Sequence, residues 1–356
     1  MNIFDYIKAN KDKTFTELAF TNVDNILFSM LAYNKFENLD NIKNISIKEL
    51  YEKIKSLDIV NKKDYFFYDE FLVLEQIIDS KRYKDIIIKD GQYKEDVKEQ
   101  SSFAAITFKL PTNLTVVAYR GTTESLISWK ENLNMAYLDM IPSAVMAINY
   151  LNFTPKGILD KVIATGHSKG GNLAVLASIN CNFFTRRRLY KIFNNDGPGF
   201  IENIMEKKKY SRIKSKIHTF LPKYSIVGRI FNCSSDYKVI KAKKKYFMQH
   251  LLVNWQIDGT DFVYEDELDS LSINLNKFLI GWANKVNKDE RQILIDILYN
   301  ALLNANITKI DLNMFNKNIF INCKNLLKVY SGISKADKKI LNKHLLQMYE
   351  CIKDLK

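Results

Sequence analysis

The run Val162-Ile163-Ala164-Thr165-Gly166-His167-Ser168-Lys169-Gly170-Gly171-Asn172-Leu173-Ala174 constrains this chain more than any other segment. A short β-branched stretch ends in Gly-x-Ser-x-Gly and passes directly into helix-forming residues. That order predicts a strand, a very sharp turn and a helix, with the serine raised on the turn. Gly166 and Gly170 flank it because side chains there would collide across so tight a turn, and Gly171 and Ala174 let the helix lie close to the sheet. The helix N-terminus beneath Ser168 favours developing negative charge. The backbone N–H of Lys169 is placed to donate to an oxyanion. The motif alone is weak; its strand–turn–helix setting separates it from an ordinary glycine-rich turn.

The surrounding pattern supplies a sheet for that turn. Phe103 to Phe108 and Thr115 to Tyr119 are β-rich runs, with Pro111-Thr112-Asn113 between them as a hairpin turn. Pro142-Ser143 opens a helix whose apolar face is Ile141, Ala144, Val145, Ile148 and Leu151. Val162 to Thr165 reads as a buried strand and Asn172 to Ile179 as a helix. Lys191 to Asn194, Lys216 to Leu221 and Tyr237 to Ala242 are further strands, with a helix around Ile201 to Lys209. Strands alternating with helices predict a largely parallel sheet covered on both faces. Helical spacing over residues 16 to 33 and Tyr65 to Ile78 adds N-terminal helices. Beyond about residue 265 the strands stop. Leu271 to Val286, Asp289 to Leu303, Phe320 to Tyr330 and Ala336 to Asp354 read as amphipathic helices. The expectation is an α/β-hydrolase fold over residues 1–270, including the N-terminal helices, and a helical C-terminal subdomain over 271–356.

Such a fold would use Ser168 as nucleophile, with a second oxyanion N–H from a loop earlier in the chain. Arg120-Gly121-Thr122-Thr123, at the end of the strand before the Pro142 helix, suits that part: Gly121 permits close approach, and Thr122 offers an N–H and a hydroxyl. A polar β-turn is the plainer reading of those residues. The base should be a histidine C-terminal to the serine. His167 adjoins the nucleophile and should point elsewhere, His218 lies inside a strand, and His344 lies in the helical tail. His250, following the last strand, remains.

Composition bounds the alternatives. Apolar residues make up 47% of the 356 and prolines number five, which is a globular balance. The net charge of +13 comes from scattered lysines, densest at Lys207-Lys208-Lys209 and Lys241 to Lys245. No basic stripe with interleaved aromatics matches a nucleic-acid motif, so no nucleic-acid partner is expected. Cys181, Cys233, Cys323 and Cys351 form no C-x-x-C pair and have no histidine at zinc spacing. Free thiols, no metal and a cytoplasmic location are expected. The N-terminus lacks a basic segment followed by an apolar run, so no secretory signal is expected. Asp139 and Pro142 interrupt the stretch from Met135 to Phe153, which is therefore not expected to span a bilayer.

Several segments together resemble a known family. Phe103 to Phe108, Tyr119-Arg120-Gly121-Thr122-Thr123, Trp129-Lys130-Glu131-Asn132, Gly166 to Gly171, Asp196-Gly197-Pro198-Gly199-Phe200, Tyr224-Ser225-Ile226-Val227-Gly228 and Gln249-His250 with Trp255 look like the Mbeg-like family. These are bacterial α/β-hydrolases similar to the class 3, fungal-type lipases. Asn2 to Tyr6 and Asn22 to Asn25 also fit, and the likeness fades past Ser270. The resemblance implies Ser168 as nucleophile, Thr122 as the oxyanion threonine and His250 as base. In the lipases a carboxylate after the Trp motif steadies the oxyanion residue; the matching place here holds Glu131-Asn132. The lipases also carry the triad aspartate where this chain has Leu221 to Val227, a stretch with no acid.

The acid must come from elsewhere, or the triad is a dyad. Asp196 ends the strand that follows the nucleophile strand, where strand ends face the site. Asp236, close before the last strand, is the rival. The functional expectation is a serine hydrolase of esters, thioesters or acyl lipids, needing no cofactor, with a small-molecule or lipid acyl substrate as its partner. The alternative is an inactive hydrolase fold that binds a partner. Substrate, oligomeric state and peripheral membrane contact stay open at this level.

Overall fold

The computed structural model describes residues 1–39, 41–57, 67–154, 156–157, 159–310 and 329–353. Among the described residues nine strands lie in one sheet in the order β1 (Ile45–Ser46), β2 (Ile87–Asp96), β3 (Ser101–Lys109), β4 (Leu114–Tyr119), β5 (Lys161–His167), β6 (Leu189–Asn195), β7 (Ile217–Pro222), β8 (Lys238–Ile240) and β11 (Tyr264–Glu265). β9 (Ile257–Asp258) and β10 (Asp261–Phe262) pair separately. From β4 to β8 every pairing is parallel, and the strands at both ends run antiparallel. This is an α/β-hydrolase fold.

Side chains alternate along each strand and supply two cores. Ala104, Ile106 and Phe108 of β3, Val116 and Ala118 of β4, Ile163 of β5 and Phe193 of β6 face one side. The N-terminal helices Ile3–Asn10, Asn22–Leu31 and Tyr68–Ile77 cover them. Phe103, Ala105, Val117, Tyr119, Val162, Ala164 and Ile192 face the other side, under helices Pro142–Phe153 and Lys169–Asn180. A period of two in the strands therefore builds a layer of helices on each face.

A buried ion pair fixes the N-terminal layer. Arg82 and Asp24 are both fully buried, with Nη2 to Oδ2 at 2.5 Å and Nε to Oδ1 at 3.1 Å. Tyr83 donates to the same carboxylate at 2.7 Å and Tyr6 at 3.2 Å. Removing one partner would leave an uncompensated buried charge. Asp24→Asn should therefore lower unfolding free energy by roughly 3 kcal/mol, read from urea denaturation. A loss below about 1 kcal/mol, the range of exposed pairs, would contradict this reading.

Two expectations are corrected by the backbone, and one element is added to them. The helix expected over residues 16 to 33 begins only at Asn22, where Thr21 and Asp24 form a capping box. The carbonyls of Thr14, Leu18 and Ala19 accept from the Arg82 guanidinium, which ties down the approach to that helix. The helix expected around Ile201 to Lys209 is reduced to a 3₁₀ turn at Ile204–Glu206 and a helical turn at Lys208–Ser211. Phe200 instead spends its N–H and C=O on Asn232, at 2.9 and 3.0 Å. The long strand β2 is the third difference: its residues are mostly polar and partly exposed, so no apolar alternation marks it in the sequence.

The C-terminal helices Ser270–Lys285, Lys288–Asn304 and Lys335–Lys353 match three expected segments. Most of the fourth, residues 320–328 with Cys323 among them, lies outside the described residues. The three helices share a core with Ala136, Tyr137 and Phe231 of the preceding part of the chain. Lys130, with its side chain fully buried, donates to Asp296 at 2.6 Å, and Asn276 donates to the carbonyls of Arg229 and Phe231. Among the described residues no helix is long and apolar enough to cross a membrane.

Candidate active site

Ser168 stands at the end of β5 with φ 57° and ψ −134°, a conformation unfavourable for any residue with a side chain. The next residue, Lys169, begins the helix. The turn is held by close packing: a Cβ on Gly166 would lie 2.2 Å from the Gly170 backbone. The backbone is also tied across the sheet, since Ser168 N–H donates to Asn195 O at 3.0 Å. Ser168 is partly exposed, whereas the residues on both sides of it are buried.

Lys169 has its backbone N–H, not its ammonium, at the serine turn. As the first helical residue its N–H has no intrahelical acceptor. Its side chain is turned inward, donating to Ser102 O and Glu131 Oε2, each at 2.7 Å. Glu131 also accepts from Ser102 N–H at 3.0 Å and from Ser143 N–H at 2.9 Å. The carboxylate thus joins β3, the Pro142 helix and the helix behind the serine.

The loop after β4 comes close to the serine. A Cβ on Gly121 would lie 2.6 Å from His167 O and 3.2 Å from Ser168 Cβ, so this approach needs glycine. Thr122 follows, and its Oγ1 accepts from Asn132 Nδ2. Glu131 does not take that part; it is committed to Lys169. Asn132 sits on helix Leu126–Asn134, whose start is pinned by Leu126 N–H to Thr308 O at 3.0 Å.

Asp196 closes the end of β6 in the left-handed region, φ 51°, and is fully buried. Its Oδ2 lies 2.6 Å from His250 Nδ1, and its Oδ1 accepts from Ser225 Oγ at 2.5 Å and Gly228 N–H at 3.1 Å. The stretch after β7 that carries no acid thus supplies two donors to an acid on the neighbouring strand. Asp236 is exposed, with its N–H on Ser234 Oγ at 3.0 Å.

His250 ends the turn Tyr246–His250 and is buried. The fully buried Trp255 donates to Gln249 O at 2.9 Å, and Asn254 to Met248 O at 2.7 Å, which fixes this turn. His167 acts on it as well. Its Nε2 lies 2.8 Å from His250 O, and since a carbonyl only accepts, that nitrogen carries the proton. Burial, then the neighbouring His250, holds the His167 pKa well below the usual imidazole value, so the ring is neutral. Tyr33, whose hydroxyl is kept protonated by burial, lies 3.3 Å from His167 Nδ1 and 3.2 Å from His167 O. No sequence signal points to Tyr33, and the sequence says of His167 only that its ring turns away from the serine.

His218 lies in β7 stacked on Phe193, with centroids 5.2 Å apart, and His344 pairs with Gln347 at 2.8 Å. Cys181, Cys233 and Cys351 are free thiols. Among the described residues no cluster of three or more His, Cys, Asp or Glu side chains is arranged to hold a metal ion.

Residues 77–300 match the model of the Mbeg1-like family. The chain belongs to the Mbeg1-like family. The match takes in Thr122, Glu131, Asn132, Ser168, Lys169, Asp196 and His250 but not Tyr33 or Thr308, and runs past Ser270 into the helical segment. The M37 lipase crystal structure is similar to this Mbeg1-like chain at 14% identity and a TM-score of 0.35, over 57% of this chain and 68% of that one. No curated protein matched the sequence.

Proposed function

We propose that this Mbeg1-like protein is a serine hydrolase that cleaves an ester, thioester or acyl-lipid bond through an acyl-enzyme on Ser168. The observation that carries this reading is the buried Asp196–His250 pair at 2.6 Å, at the strand end beside the strained serine turn. Asp196, held by two donors on its other oxygen, keeps a proton on His250 Nδ1 and leaves Nε2 to act as base. Nε2 accepts the Ser168 hydroxyl proton as Oγ attacks the acyl carbonyl. The oxyanion meets the N–H groups of Lys169 and Thr122. Collapse expels the alcohol or thiol, which takes its proton from His250. Water, deprotonated by the same imidazole, then releases the acid.

Asn132 tunes that hole. Its amide nitrogen only donates, so Thr122 Oγ1 accepts and keeps its own proton for the oxyanion. Asn132→Asp substitutes an acceptor that would draw this proton away. It should lower kcat about a hundredfold with KM little changed, the cost of one lost oxyanion donor. An unchanged kcat would remove Thr122 Oγ1 from the hole.

The overall test is turnover of p-nitrophenyl esters of graded acyl length together with an acyl thioester. Turnover of at least one of them, with an optimum in chain length, is expected. No turnover of any ester or thioester by folded protein would overturn the reading.

A further inference from the structure

At the opposite pole of the sheet the surface changes character. β5 and β6 begin there, about 20 Å from Ser168 at the usual strand rise. Four large apolar side chains stand out: Phe153 is 80% exposed, Leu159 81%, Phe183 53% and Phe184 78%. They come from separate segments that the backbone ties together. Asn182 N–H donates to Asn152 Oδ1 at 2.9 Å, joining the Phe183 helix to the end of the Phe153 helix. Arg188 donates to Asp160 O at 3.0 Å and to Gly157 O, joining the same short helix to the Leu159 loop.

Within the chain segment that carries this patch, the charge is almost all of one sign. From Asn152 to Lys191 the sole acidic residue is Asp160, which is buried and paired with Lys109 at 2.6 Å. The same stretch carries Lys156, Lys161, Arg186, Arg187, Arg188 and Lys191; of these, Lys156 is bonded to the carbonyls of Asn152 and Thr154, Arg188 to those of Asp160 and Gly157, and Lys191 lies over the Phe193 ring. Arg186 and Arg187 lie over the Phe183 ring, 5.8 and 5.6 Å from its centroid. A protein partner with an apolar face would not require so uniform a cationic rim. A bilayer carrying anionic headgroups matches both features: apolar tips enter the headgroup–acyl boundary while the guanidinium and ammonium groups meet lipid phosphates.

We propose that this pole docks the protein on anionic membrane surfaces, with the Ser168 end of the sheet facing away from the bilayer. Docking there is independent of catalysis, and it would present the site to acyl compounds arriving from the aqueous side. The test is co-sedimentation of the full chain with phosphatidylglycerol vesicles and with pure phosphatidylcholine vesicles. Binding to the first, weakened by salt, and little binding to the second are expected. Phe184→Ser should lower the partition about tenfold through lost apolar burial, and Arg187→Glu at least about fivefold. Ser168→Ala, at the far pole, should bind as wild type does. Equal binding to both vesicles, binding to neither, or unchanged binding by both patch variants would overturn the proposal. So would a solution dimer that Phe184→Ser dissolves, because the patch would then be a self-association surface.

Discussion

Ser168→Ala is expected to reduce ester turnover by roughly 10⁴- to 10⁶-fold, the cost of removing the nucleophile from a triad that works as a unit. The protein should remain folded: the turn geometry is held by Gly166, Gly170 and the Ser168 N–H bond to Asn195, none of which uses the hydroxyl. Alanine removes an atom without enlarging the side chain, so KM for a slow substrate should stay within a few-fold. Steady-state kinetics with circular dichroism as a check on folding measures both. A loss under tenfold would mean that another group performs the attack.

Asp196→Asn is expected to lower kcat by about 10⁴-fold, comparable to loss of the orienting carboxylate in a serine protease. The amide would present either a donor or a neutral acceptor to His250 Nδ1, and in the first case the imidazole would adopt the wrong tautomer. Ser225 and Gly228 donate to Oδ1, so the amide has strong reason to turn its oxygen toward them and its nitrogen toward the histidine. Asp236→Asn serves as the internal comparison and should leave turnover within about twofold, as surface changes far from a site usually do. A large loss at Asp236 with a small one at Asp196 would reverse the assignment.

The parts of this molecule legible in the sequence are those set by local chemistry. The serine turn follows from spacing that only glycines tolerate, and β3 to β6 follow from short β-prone runs whose alternation fills two cores. Asp196 can be singled out because it ends the strand next to β5. What cannot be read depends on long-range partners. β2 is polar on most of its length and owes its strand form to pairing with β3. Glu131 and Asn132 are adjacent in the chain, and only their directions on the helix send one to Lys169 and the other to Thr122. Ser225 and Gly228, the donors to Asp196, carry no motif of their own. The apolar pole is hidden for a different reason: Phe153, Leu159, Phe183 and Phe184 look like core residues until their exposure is known.

The central claim is that Ser168 forms a covalent bond with an acyl carbon, and reaction with a fluorophosphonate tests it most directly. Intact-mass measurement followed by peptide mapping should show one adduct, on the peptide carrying Gly166 to Gly171, with the modification on Ser168. Labelling should vanish in Ser168→Ala and slow strongly in His250→Ala, since the attacking oxygen needs its base. An adduct on a different residue, or equal labelling of wild type and Ser168→Ala, would contradict the account.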